Sequence, residues 1–77
     1  MLIVDCSKIT DKKIYFNCSL CGGVHHHGNP SGEMHNRVEY RISRCNANGD
    51  YISHNFMIKI KDETKRIYDE EKYYNII

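Results

Sequence analysis

Residues 18–28 read CSLCGGVHHHG, and this short stretch is the strongest signal in the sequence. Cys18 and Cys21 are separated by two residues, the spacing at which a tight turn aims two thiolates at one point. Gly22 follows the second sulfur and supplies the backbone freedom that this turn needs. The stretch therefore predicts a metal knuckle, and we expect the fold to be organised around the ion.

The length of the chain, 77 residues, leads us to expect such a staple. A domain of this size buries only about 60 per cent of the surface that its unfolded chain exposes, so its core is marginal. No signal peptide is recognisable at the N-terminus, and no stretch approaches the roughly 18 apolar residues of a membrane helix. We expect one domain over 1–77 that is soluble, intracellular and free of membrane contact. In that setting zinc is favoured over two disulfides for the four cysteines.

A structural zinc site takes four nitrogen or sulfur ligands, so two more must join the knuckle. Cys45 is the first choice because it ends a predicted strand beside a turn, whereas Cys6 fits a core position. In an extended run, His25 and His27 point to one side of the strand and His26 points to the other. The ligands that we predict for Zn²⁺ are Cys18, Cys21, His27 and Cys45. The alternatives left open are His25 or His26 for His27, and Cys6 for Cys45.

Apolar runs and turn residues predict two antiparallel hairpins. The first joins strands at about 2–5 and 13–17, and the second joins 37–45 to 51–60 across Asn48-Gly49, a strong hairpin signal. In the third strand Val38, Tyr40 and Ile42 alternate with polar residues, which is strand periodicity.

The remaining segments are predicted as a loop and a helix. Residues 22–36 contain four glycines and the only proline of the chain, which favours a loop. Asp62 is a plausible N-cap for a short C-terminal helix over about 62–73. The predicted class is a small α+β domain stapled by zinc.

Two resemblances bear on the knuckle. The spacing of Cys18, Cys21 and His26 resembles the retroviral-type zinc knuckle over nine residues, but Ser31 stands where the last cysteine of that motif belongs. Residues 16–45 resemble small phage and bacterial proteins with a CxxCGxxHxHG motif and a downstream cysteine, here Cys45. Arg44 stands where we expect a histidine from that pattern. This second resemblance implies metal binding and brings no established activity with it. The bias of the chain toward Asn, Ile, Lys and Tyr suggests an AT-rich genome, which fits a viral or phage source.

The surface residues suggest what the module binds. The net charge is only +1, so no global field favours nucleic acid or membrane. A local basic stripe on the second hairpin would nevertheless contact phosphates, and a partner protein is the other option. The predicted stripe consists of Arg37, Arg41, Lys59 and Lys61.

Two alternative functions follow from other residues. The tyrosine-rich tail, with Tyr68, Tyr73, Tyr74, Ile76 and Ile77, would serve as a homodimer surface. A less favoured alternative is an HNH-like metal-dependent nuclease, with His26 or His27, Asn46 and His54 in the roles of that motif. We expect no enzyme, because four protein ligands would leave the zinc no open position.

Overall fold

The computed structural model describes residues 1–47 and 50–74. Those residues form six strands and one short helix, namely β1 (Leu2–Thr10), β2 (Lys13–Asn17), β3 (Val24–Gly28), β4 (Arg37–Ala47), β5 (Asp50–Ile60), β6 (Lys65–Ile67) and α1 (Glu70–Tyr74). The predicted α+β class is right only in part, because the fold is mostly β. The predicted Asn48-Gly49 turn lies outside the described residues. No helix of the described part of the chain is long and apolar enough to span a bilayer.

The strands form one sheet in the order β3-β2-β1-β5-β4, and β6 pairs with β1 off that path. The predicted hairpin of residues 37–45 and 51–60 is confirmed as the antiparallel pair β4–β5. The first predicted hairpin is only partly right. β1 and β2 are antiparallel, but they pair through Cys6 to Ile9, whereas residues 2–5 lie parallel to β5. The apolar start of β1 thus pairs with the most buried part of β5 and extends one core.

A bulge in β1 allows residues on both sides of it to point into the same core. The register with β2 shifts between Cys6 and Lys8, so Cys6 and Ile9 are both buried although they are three residues apart. In a regular strand such residues would point to opposite faces. The buried apolar cluster is built from β1, β2, β4, β5 and the turn after β2, and it comprises Cys6, Ile9, Ile14, Phe16, Cys18, Cys45, Phe56, Ile58 and Ile60.

Strand β4 has the predicted alternation, but its apolar side faces outward. Val38, Tyr40 and Ile42 are exposed, whereas Cys45 is buried and the polar residues at 37, 39, 41 and 43 are half-buried. The period of two in a strand ties these residues together, because Cys45 can face inward only if every second residue before it does so as well. The apolar half of β4 is therefore left on the surface.

The predicted helix over 62–73 is wrong over most of its length. Residues 62–64 form a turn, in which the Thr64 hydroxyl donates to the Cys6 carbonyl and accepts from the Lys61 N–H. β6 follows and pairs parallel with the end of β1, so α1 begins only at Glu70. Asp69, not Asp62, provides the cap, since its carboxylate accepts a hydrogen bond from the Lys72 N–H at 3.0 Å. The turn at Thr64 and the pairing of β6 with β1 take the place of the predicted helix up to Ile67.

The predicted loop of 22–36 contains a strand, since β3 pairs antiparallel with β2 over its full length. The rest of the segment is held by Asn29. Its side-chain amide donates to the carbonyls of Thr10 and Glu33, and its Oδ1 accepts from Arg37 at 2.9 Å. These hydrogen bonds fix the path of the chain from β3 to β4.

Candidate metal centre

The turn after β2 has the geometry of a metal knuckle. The Cys18 N–H donates to the Gly23 carbonyl and the Gly22 N–H donates to the Cys18 carbonyl, each at 2.9 Å. Gly22 has a φ of 72°, a conformation that residues with a side chain rarely adopt. The sharp reversal that this glycine permits brings Cys21 back beside the start of β3.

Four side chains converge at this turn. The Sγ atoms of Cys18 and Cys45 are 3.3 Å apart, and the Nε2 of His25 lies 3.2 Å from the Sγ of Cys21 and 3.6 Å from that of Cys45. All four donor atoms lie within 4.8 Å of one another. The cluster is therefore close enough to bind a metal ion.

The separations suit a tetrahedral ion of the size of zinc. With Zn–S of about 2.3 Å and Zn–N of about 2.0 Å, a tetrahedron places two sulfurs about 3.8 Å apart and a sulfur and a nitrogen about 3.5 Å apart. The separations of 3.2 to 3.6 Å among the pairs given above lie at these values or up to about half an ångström below them. Three thiols and one imidazole are also a donor set typical of structural zinc.

His25, rather than the predicted His27, joins the cysteines. Both histidines lie on the same side of β3, as the alternation predicted, and both rings stack on Phe16. Residues two apart in a strand are separated by about 6.6 Å, however, so only one of them reaches the knuckle. The position next to the turn belongs to His25. His26 lies on the other side of the strand, against Tyr15.

His27 occupies a different environment from His25. Its Nε2 is buried and has no hydrogen-bond partner among the residues that the structure describes. Burial lowers the pKa of His27, and the Arg41 guanidinium and the neighbouring histidines lower it further. The neutral form of His27 is thus favoured, and its ring packs on Phe16 beside the metal cluster.

Ser43, on β4 at the other edge of the sheet, supports His25. The Nδ1 of His25 lies 2.6 Å from the Ser43 Oγ, at the opposite end of the ring from the thiols. With a metal on Nε2, the imidazole proton resides on Nδ1 and is donated to that hydroxyl. Such a second hydrogen bond fixes the tautomer and the orientation of a ligating histidine. The sequence analysis did not identify Ser43. The one signal for it is that Ser43 precedes Cys45 by two residues, which places both side chains on the same face of a strand.

The two buried thiols differ in their acidity. Burial raises the pKa of Cys18, but hydrogen bonds from the Cys21 and Leu20 backbone and from the Cys45 thiol outweigh it and leave the pKa below the ordinary value of 9.0. Burial, together with the neighbouring Cys18 sulfur, raises the pKa of Cys45 to about 12. Of these two buried thiols, Cys18 is thus the one that carries negative charge more readily. A bound cation would compensate the charge of all three sulfurs.

The remaining cysteine, Cys6, is not part of this cluster. It is buried in the core, where its Sγ donates to the Lys8 carbonyl at 3.1 Å, and burial raises its pKa. All four cysteines are free thiols. The geometry thus places Cys45 and not Cys6 beside the knuckle.

The cluster joins the two ends of the sheet. Cys18, Cys21 and His25 belong to β3 and to the turn before it, whereas Ser43 and Cys45 belong to β4, the strand at the opposite end of the order. The sheet is curled until these two edges meet. We call the line along which β3 and β4 meet the seam of this nearly closed sheet. An ion bound to the cluster would connect the two strands across the seam.

The predicted basic stripe does not form one surface. Arg37 and Arg41 lie on the half-buried side of β4, and both donate to Glu39, at 2.6 and 3.0 Å. Lys59 pairs with Val38 and so lies on the opposite face of the sheet, while Lys61 contacts Asp5 at 2.9 Å. Alternation along paired strands separates the lysines from the arginines.

The residues of the nuclease alternative do not come together at the metal cluster, and the dimer through the tyrosine-rich tail stays a prediction. His54 lies on β5 at the edge of the Phe56 ring and is not part of the metal cluster. The hydroxyls of Tyr73 and Tyr74 are turned toward the sheet, where they accept hydrogen bonds from Lys65 and Lys8. Ile76 and Ile77 lie outside the described residues.

Comparison with protein-family models, with curated proteins and with solved structures finds no match. The resemblances of the knuckle stay predictions, and the geometry of the site carries the functional argument.

Proposed function

We propose that this protein is a small zinc-stapled module whose ion is structural and whose role is to bind another protein. The observation that carries the proposal is the convergence of the Cys18, Cys21, His25 and Cys45 donors within 4.8 Å of one another. Four protein donors fill a tetrahedral shell and leave no position at which a water could be activated.

The position of the cluster supports a structural role for the ion. It lies at the seam between β3 and β4, where within the described residues only side-chain contacts hold the two edges together. Binding of a structural zinc contributes about 10–16 kcal/mol in small zinc domains, and this would offset the marginal core of a 77-residue chain. We infer that the ion holds the sheet closed.

Protein binding is favoured over nucleic-acid binding by the pairing of the basic residues. Arg37 and Arg41 share the carboxylate of Glu39, and Arg37 also donates to Asn29 and to the Glu33 carbonyl. Phosphate would have to compete with these partners for the two guanidinium groups. The surface instead carries exposed apolar side chains on β1 and β4, which are typical of protein interfaces.

A matched pair of cysteine variants tests the role of the ion. Cys45 and Cys6 are both buried and both free, but only Cys45 belongs to the cluster. We expect Cys45→Ser to lose zinc and unfold at much lower denaturant than the wild-type protein, because a buried ligand is removed. Cys6→Ser should retain one zinc per chain, with only the cost of a polar group in the core.

The measurement is zinc content by elemental analysis together with urea unfolding, with and without a chelator. Loss of zinc from Cys45→Ser but not from Cys6→Ser supports the proposal. A wild-type protein that keeps its fold and its unfolding midpoint after complete removal of zinc would show that the ion is not a staple.

A further inference from the structure

The outer face of the sheet carries apolar side chains that no other part of the described chain covers. It is defined here as the surface formed by Met1, Ile3, Val38, Tyr40, Ile42 and Met57. Ile3, Met57 and Tyr40 follow one another across β1, β5 and β4, since Ile3 pairs with Met57 and Met57 pairs with Tyr40. Met1, Tyr40 and Ile42 also line one shallow hollow. The side chains therefore form a continuous patch.

The exposed area of this patch is large for a monomer. Met1, Ile3, Val38, Tyr40 and Ile42 are between 43 and 72 per cent exposed. Five side chains of this size and exposure present about 600 Å² of surface, at the upper end of the largest apolar patch found on monomeric proteins. A sheet face of this kind is normally covered by a second layer.

We propose that the outer face binds the outer face of a second copy of this chain. Two patches of about 600 Å² would bury about 1,200 Å² in total, which reaches the range of specific interfaces. Two sheets packed face to face form a sandwich with interdigitating side chains, the arrangement that would cover both patches at once. The area is thus sufficient for a symmetric dimer.

The charges around the outer face suit self-association. Asp5 and Lys59 pair across β1 and β5 at one border of the patch, and Lys61 lies 2.9 Å from Asp5. A border with both signs avoids the repulsion that two copies of a single-sign surface would experience. Aromatic residues and methionine are enriched in interface cores, and here Tyr40 and Met57 lie side by side in the middle of the patch.

The dimer rests on the proposed function in one respect, since it names a second copy of this chain as the protein that is bound. It does not depend on the metal ion, because the outer face is separate from the metal cluster. It also differs from the tail dimer predicted from the sequence, since none of its residues belongs to the tail. Tyr68 provides a matched control, as a tyrosine in the tail with 73 per cent exposure against 57 per cent for Tyr40.

The experiment is sedimentation equilibrium of the full-length, tag-free protein loaded with zinc, over protein concentrations of about 1 µM to about 1 mM. We expect a reversible monomer–dimer equilibrium. Tyr40→Glu should raise the dimer dissociation constant at least about tenfold, as expected for a charge placed in an interface core. Tyr68→Glu should leave that constant unchanged. Circular dichroism and zinc content of each variant establish that it is folded.

Two results would overturn the proposal. One is a wild-type protein that is monomeric over the whole range, which would leave the patch to a different partner. The other is a dimer that Tyr40→Glu does not weaken, or that Tyr68→Glu weakens as much. Zinc content measured on the same samples distinguishes a failure of the dimer from a failure of the structural role proposed for zinc. A dimer without zinc would contradict only the proposed function, and a zinc-loaded monomer would contradict only the dimer.

Discussion

Replacing Ser43 with alanine removes the only hydrogen-bond partner that the structure gives to the Nδ1 of His25 within the described residues. The hydroxyl lies 2.6 Å from that nitrogen, and it orients the ring so that Nε2 faces the three thiols. Without it the imidazole loses its preferred tautomer and part of its orientation. Loss of such a partner typically lowers metal affinity about 10- to 100-fold. This factor corresponds to about 1.4–2.7 kcal/mol of binding free energy.

The affinity is measured by competition for zinc between the protein and a chromophoric chelator at fixed pH. Ser43→Thr keeps a hydroxyl and suits a strand, so it should retain most of the affinity. Ser53→Ala serves as a matched control, because Ser53 is an exposed serine on β5 that has no part in the cluster. Wild-type affinity in Ser43→Ala, or an equal loss in Ser53→Ala, would refute the argument that Ser43 positions His25.

Three further predictions concern residues around the site and the core. His27→Phe should raise the free energy of unfolding by about 1 kcal/mol, because it removes a buried nitrogen that has no hydrogen-bond partner among the described residues. A lower free energy of unfolding for this variant in urea would contradict the prediction. The hydrogen bond from Arg37 is the main reason that the pKa of Glu39 lies below its ordinary value of 4.5, although burial opposes this effect. The ionised carboxylate therefore stabilises the fold above pH 4.5, and this stabilisation is lost as the pH falls through the lower pKa of the folded state. Glu39→Gln should therefore show a smaller loss of stability than the wild-type protein below about pH 5, and equal slopes in acid titrations followed by circular dichroism would contradict it. Thr64→Val should cost about 1–3 kcal/mol, since the Cys6 carbonyl and the Lys61 N–H lose their partner, and an unchanged unfolding midpoint would refute this role.

Much of the site could be predicted from the sequence, because short-range spacing determines it. The Cys-x-x-Cys turn and the following glycine define a knuckle whatever the rest of the fold. Cys45 could be chosen over Cys6 because it ends an alternating strand. The choice between His25 and His27 could not be made in this way. Both lie on one side of β3, and only the register with β2, which sets how far each lies from the turn, selects His25.

The parts of the fold that escaped prediction depend on contacts distant in sequence. Strand alternation in β4 was evident, but which side faces the core is determined by Cys45 and the seam rather than by the hydrophobicity of β4 itself. The C-terminal segment has helical spacing, yet Thr64 is anchored to Cys6 from the other end of the chain. β6 has only three residues, and such a strand has no pattern long enough to be recognised.

The most direct test of the central claim is the native mass spectrum of the tag-free protein, compared with the spectrum of the denatured chain. The account predicts one zinc ion per chain, bound by Cys18, Cys21, His25 and Cys45, and its loss in His25→Ala but not in His27→Ala. A chain without metal, lighter by the hydrogens lost to a disulfide between Cys18 and Cys45, would contradict it. Zinc that is retained in His25→Ala and lost in His27→Ala would contradict the ligand set.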